Sequence, residues 1–163
     1  MTGRERGIMR IGIGIRTVVA VTLLAALAGT AGAPAMARVR RCTVQGTNAG
    51  EVLLGTQGAD RICARGGNDT VTALGGNDVA LGGRGNDSVE GESGNDRMRG
   101  GGGNDTLEGN NGRDILRGDR GDDVIDVADG TGGDRAIGGR GTDTCLVNQA
   151  DATRGCETVH VVL

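Results

Sequence analysis

From residue 60 onward an apolar or small side chain stands two positions after every regularly spaced aspartate. Ile62, Val71, Ala80, Val89, Met98, Leu107, Leu116 and Ile125 follow Asp60, Asp69, Asp78, Asp87, Asp96, Asp105, Asp114 and Asp123. The period is nine, matching neither the 3.6 spacing of an amphipathic helix nor a long alternating strand. A glycine precedes each aspartate by two places, at Gly58, Gly67, Gly76, Gly85, Gly94, Gly103, Gly112 and Gly121. Each nonapeptide therefore reads as a glycine-rich turn ending at Asp, then a three-residue strand whose middle side chain points inward.

A disordered glycine-rich linker is the competing reading, but a linker has no reason to hold an aliphatic residue in fixed phase with a carboxylate. The ordered reading is an all-β chain in which two nonapeptides make one coil of a flattened parallel solenoid. Asp69 then lies one rung below Asp87, about 4.8 Å away. Such a carboxylate column repels itself unless positive charge sits between the rungs. The phase breaks at Val127 to Gly133 and resumes at Gly138, placing Asp134 and Asp143 in a shifted final coil and Asp129 in a loop, as a solvated acid or an extra ligand. After Cys145 the repeat is lost, and the closing alternating run reads as a cap over the open edge.

Composition fits this picture. The 163 residues include 34 glycines, one proline and no Phe, Tyr or Trp, so an aromatic core is excluded. Residues 1–37 carry Arg4, Arg6, Arg10 and Arg16, an apolar run and Ala35-Met36-Ala37, the pattern of a cleavable secretory signal peptide rather than a membrane span. Removing them takes four of the 18 basic residues and one of the 21 acids, leaving 14 against 20 and a formal charge of −6, with no lysine anywhere. That balance argues against nucleic acid as a partner. Cys42, Cys63, Cys145 and Cys156 all follow the leader, an even set suited to two disulfides in an oxidising compartment. Three pairings are open; the sequence-local one brackets the repeats at both ends. A zinc site lacks a C-x-x-C pair and has only His160 to draw on.

The repeats resemble the RTX, or hemolysin-type, nonapeptide G-G-x-G-x-D-x-U-x. "GGRGNDSVE" at 82–90 and "GGGGNDTLE" at 100–108 fit at every defined position, and the resemblance runs over about Gly46 to Leu146. The second position departs from glycine at Thr56, Arg65, Leu74, Glu92, Asn110 and Asp119, and Glu51 replaces the aspartate of 46–54. The resemblance implies a β-roll, a right-handed β-solenoid, holding several calcium ions between stacked turns. Its ligands are backbone carbonyls of the glycine-rich turns, including Gly67, Gly76, Gly85, Gly94, Gly103, Gly112 and Gly121, and the eight aspartates named above. Asn68, Asn77, Asn86, Asn95, Asn104 and Asp122 add side-chain oxygens. Calcium, a hard cation taking six to eight oxygens in irregular geometry, suits such turns. Pairing each aspartate with the one eighteen residues on allows up to six regular sites. One aliphatic side chain per nine ordered residues is too little burial to offset the backbone entropy, so folding is expected to require calcium and the disulfides.

The domain reading is a leader at 1–37, an N-terminal cap with a degenerate repeat at 38–54, regular repeats at 55–126, shifted repeats at 127–146 and a C-terminal cap at 147–163. The sequence shows neither H-E-x-x-H nor G-x-S-x-G, which argues against an enzyme. A secreted structural or adhesive protein is expected, with a cell-envelope or extracellular polymer as the class of partner; the alternatives are recognition of a repetitive surface such as ice or a polymer, and an accessory role beside a separate secreted enzyme. The third turn position (Gln57, Gly66, Gly75, Arg84, Ser93, Gly102, Asn111, Arg120) shows no regularity, and the charges at the ninth (Glu90, Arg99, Glu108, Arg117, Asp126) are expected to lace the outside of the stack. An N-terminal leader and cysteines depart from the uncleaved C-terminal export signal of many RTX proteins.

Overall fold

The computed structural model describes residues 41–130 and 133–163; the expected leader lies outside the described residues. These residues form strands and turns, with no helix among them, and none therefore long and apolar enough to cross a membrane. One sheet holds β1 (Val44–Gln45), β3 (Arg61–Gly66), β5 (Val79–Arg84), β7 (Arg97–Gly102), β9 (Ile115–Arg120), β11 (Arg135–Arg140) and β13 (Ala152–Arg154). The other holds β2 (Val52–Thr56), β4 (Thr70–Leu74), β6 (Ser88–Ser93), β8 (Thr106–Asn111), β10 (Val124–Asp126), β12 (Thr144–Val147) and β14 (Thr158–Val161). Successive strands alternate between sheets and all pairings are parallel, so the fold is the expected parallel β-solenoid with two nonapeptides per coil.

Residues eighteen apart are stacked, as in Ile62 on Ala80 on Met98 and Val71 on Val89 on Leu107. The slip after Val127 lengthens one coil, so that Ile115 pairs with Arg135 and Val124 with Thr144. The inward column of the first sheet is Val44, Ile62, Ala80, Met98, Leu116 and Ala136; that of the second is Leu53, Val71, Val89, Leu107, Ile125 and Cys145, and all are buried in one core cluster. Through the regular repeats the next inward position is small, Ala64 and Ala73 and then Gly82, Gly91, Gly100, Gly109 and Gly118, which leaves the core thin there, while Val127 and Val147 fill it past the slip. The chain beyond Leu146 adds one more rung to each sheet through β13 and β14.

The second turn position is left-handed in most coils. Arg65, Leu74, Glu92, Asn110 and Asp119 stand there with φ of 60° to 82°, a conformation that ordinarily favours glycine. Cys42 is bonded to Cys63 and Cys145 to Cys156, the sequence-local pairing, so each disulfide ties one end of the stack.

Alternation between sheets sorts the charges, and here the expected lacing does not occur. Arg99 stacks directly on Arg117, and Glu90 on Glu108 on Asp126, because residues nine apart in sequence lie on opposite sheets and only residues eighteen apart touch. The β1–β13 sheet carries Arg61, Arg65, Arg84, Arg97, Arg99, Arg117, Arg120, Arg135, Arg140 and Arg154, with Asp119 as its only strand acid. No arginine lies on the strands of the β2–β14 sheet among the described residues; its strand acids are Glu90, Glu92, Glu108 and Asp126. One outer face is basic and the other acidic.

Candidate metal centre

Each turn delivers its acid to the interior just before the strand begins. Asp69, Asp78, Asp87, Asp96, Asp105, Asp114, Asp123, Asp134 and Asp143 are all at most 3 % exposed. One oxygen of each is engaged: Oδ1 accepts the backbone N–H of the acid one coil earlier, from Glu51 N–H to Asp69 at 2.8 Å through Asp123 N–H to Asp143 at 3.0 Å. The other is not. Oδ2 of all nine is buried with no hydrogen-bond partner. Orphaned carboxylate oxygens in a protein interior are costly and call for a proton or a cation.

The space beside them is made by glycine. A methyl on Gly91 would lie 2.5 Å from Asp96 Oδ2 and 2.7 Å from the carbonyl oxygen of Gly109, one coil above. A carboxylate oxygen of one turn and a carbonyl oxygen of the next thus converge at a place where only the absence of a side chain leaves room. Gly82, Gly100, Gly109 and Gly118 hold the same relation to Asp87, Asp105, Asp114 and Asp123. These first-position glycines are a part of the site that the sequence reading passed over; the paired glycines opening each repeat are its signal. The glycines two places before the aspartates serve stacking: at Gly76, with φ of 120°, a methyl would approach the carbonyl carbon of Gly58 to 2.6 Å.

Burial raises the carboxyls, and the neighbouring acids of the column add to the rise, while the backbone N–H bond pulls down. Asp105 and Asp114 are pushed up to about 7, and Asp87, Asp96 and Asp134 to about 6. The same cause raises Asp69, Asp78, Asp123 and Asp143.

Other expected ligands sit differently. Asn68, Asn77, Asn86, Asn95, Asn104 and Asp122 are exposed at the turn edge and form a ladder of their own, each Oδ1 accepting the N–H of the residue stacked above, as Asn68 does from Asn86 at 2.9 Å. Asp60 is half-buried and complete: Oδ2 accepts the Thr56 N–H at 2.7 Å and hydroxyl at 2.8 Å, and Oδ1 accepts the Thr43 hydroxyl. Glu51 is likewise held by Thr47. At the far end Asp151 and Glu157, which the count of nines missed, close the two columns by accepting the N–H groups of Asp134 and Asp143.

Among the described residues no three Asp, Glu, His or Cys side chains gather into one cluster. A cation bound beside these oxygens would draw on backbone carbonyls with few carboxylates, a donor set that suits a hard cation. The RTX calcium-binding nonapeptide repeat family, in units of four copies, matches the chain at residues 45–80, 72–107 and 99–131, just over half its length. Neither the curated proteins nor the solved structures gave a match.

Proposed function

The chain belongs to the RTX calcium-binding nonapeptide repeat family, and from that premise we propose that it is a secreted β-roll whose repeats fold on binding several calcium ions and then serve a structural or adhesive role outside the cell. The observation that carries this reading is the set of nine buried, partnerless Oδ2 atoms. Calcium bound there supplies the positive charge the columns lack. Asp69 through Asp123 give a carboxylate oxygen each, the glycine-rich turns give carbonyls, and Asp134 and Asp143 extend the same arrangement past the slip. The turn-edge Asn residues and Asp122 steady the turns while their side-chain oxygens remain close enough in sequence to add to the coordination. Secretion is supported by the N-terminal leader pattern and by two disulfides, which persist in oxidising compartments. A non-catalytic role follows from acids spent on the columns.

Binding to the folded state alone makes metal affinity a folding force. Far-ultraviolet circular dichroism of the leader-free chain is expected to gain a β signal on calcium addition and lose it in chelator, with calorimetry counting more than one ion. An unchanged spectrum, or a chain that retains no calcium while folded, overturns the proposal.

A further inference from the structure

The basic face is shaped as well as charged. A trough of about 590 Å³ runs along the solenoid axis on the β1–β13 sheet. Its walls are two rows of arginine: Arg99 and Arg117 on one side, Arg84, Arg120 and Arg140 on the other. Gly83, Gly101 and Gly139 make the floor, so bare backbone lies between the rows. Read as one column, the third turn position becomes Gly66, Arg84, Gly102, Arg120, Arg140, holding only glycine and arginine, a bias hidden when both faces are interleaved. Asp119 rises from the same floor and pairs with Arg99 at 2.6 Å and with Arg117. The side chains of Arg84, Arg120 and Arg140 are exposed and have no ion pair among the described residues.

We propose that this trough binds a linear polysaccharide bearing carboxylate or sulfate groups, laid along the solenoid axis. The proposal rests on the adhesive part of the function above and gives it a ligand class. Guanidinium forks recognise planar and tetrahedral oxyanions in bidentate fashion. Arg84 and Arg120 stand two rungs apart, about 9.6 Å, the length scale of a disaccharide, and a glycine floor lets a sugar ring approach the backbone. Nucleic acid fits less well: the chain has no aromatic residue on which bases stack. A second copy presenting its acidic face matches the charge, but a patch of five rungs by six residues covers only about 500 Å² per partner, below the ~800 Å² of a stable interface.

The test titrates the calcium-loaded chain with a heparin dodecasaccharide, using neutral dextran and oligodeoxythymidylate for comparison. Heparin is expected to bind, weakening as salt rises, and dextran not to. The R84S/R120S/R140S variant, whose changes lie outside the core and the acid columns, is expected to bind about tenfold more weakly with an unaltered β signal, since hydrogen-bonded charge contacts are lost. Asp119→Asn frees Arg99 and Arg117 and is expected to tighten binding several-fold, a gain that misfolding cannot imitate. Equal affinity for parent and triple variant, no gain in D119N, or tighter binding of the oligonucleotide overturns the proposal. Low-salt self-association abolished by both R84S/R120S/R140S and E90Q/E108Q, without heparin binding, assigns the trough to a second copy and also overturns it. A chain that folds with calcium yet ignores heparin removes the trough inference alone; one whose spectrum ignores calcium yet binds heparin removes the calcium reading alone.

Discussion

In the turn that ends at Asp60, Thr56 gives both its hydroxyl and its N–H to the carboxylate; in the turn that ends at Asp96, the same position is Glu92, exposed and left-handed, and Asp96 Oδ2 is left without a partner. The contrast extends along the molecule. At the N-terminal end threonines complete Glu51 and Asp60, and Cys42 is bonded to Cys63; at the C-terminal end Asp151 Oδ2 accepts the Asn148 N–H, and Cys145 is bonded to Cys156. Between the ends, nine carboxylates each lack one partner. The same acid position is finished by protein at the N-terminal end and, under the proposed function, by an ion in the middle.

The sharpest way to break this comparison is hydrogen exchange in chelator. Amides of β4 to β11 are expected to lose protection by orders of magnitude, while residual protection gathers beside the disulfides; uniform loss along the chain makes the ends and the middle alike. Next in size is Gly91→Ala, which sets a methyl against Asp96 Oδ2 and is expected to cost about 3 kcal/mol in calcium-loaded unfolding. Gly102→Ala, with nothing within 4 Å of the added methyl, is expected to be near neutral. Asp96→Asn then tests sign. It keeps the Oδ1 acceptor and removes a buried charge, so in chelator it is expected to stabilise, and in calcium to destabilise by about 1.5–3 kcal/mol; Asp60→Asn, whose oxygens already have protein donors, is expected to show no such inversion.

The smallest effect is with pH. Burial holds the carboxyls of Asp87, Asp96, Asp105, Asp114 and Asp134 above their ordinary value of 3.8, so protonation favours the metal-free roll. That contribution is whole below about pH 4 and is lost as pH rises through 6 to 7. In chelator, acidification from pH 8 to 5 is expected to raise the β signal of the middle, while in calcium the midpoint concentration rises over the same range as protons compete. A midpoint insensitive to pH removes these carboxylates from the binding step.

The nine-residue count made the solenoid, its inward column and the regular acids legible, because one aliphatic residue and one carboxylate held a fixed phase through eight repeats. It lost Asp151 and Glu157, since the last coils shorten to separations of 17 and 14 residues. The acid-x-inward signature survives there, in Glu157, Thr158 and Val159, and is the cue a strict period overlooks. Thr56 registered only as a departure from glycine and Thr47 not at all, because a hydroxyl that completes a carboxylate is a three-dimensional fact. The charge sorting was hidden for a different reason: nine is the period of the core, but eighteen is the period of each face.

That double period sets how such a molecule can change length. Loss of eighteen residues removes one storey and leaves both walls intact. Loss of nine preserves the interior equally well, yet carries every downstream arginine to the opposite wall and brings glutamates in beneath those that remain. Viable length variants of this chain are therefore expected to differ by whole storeys.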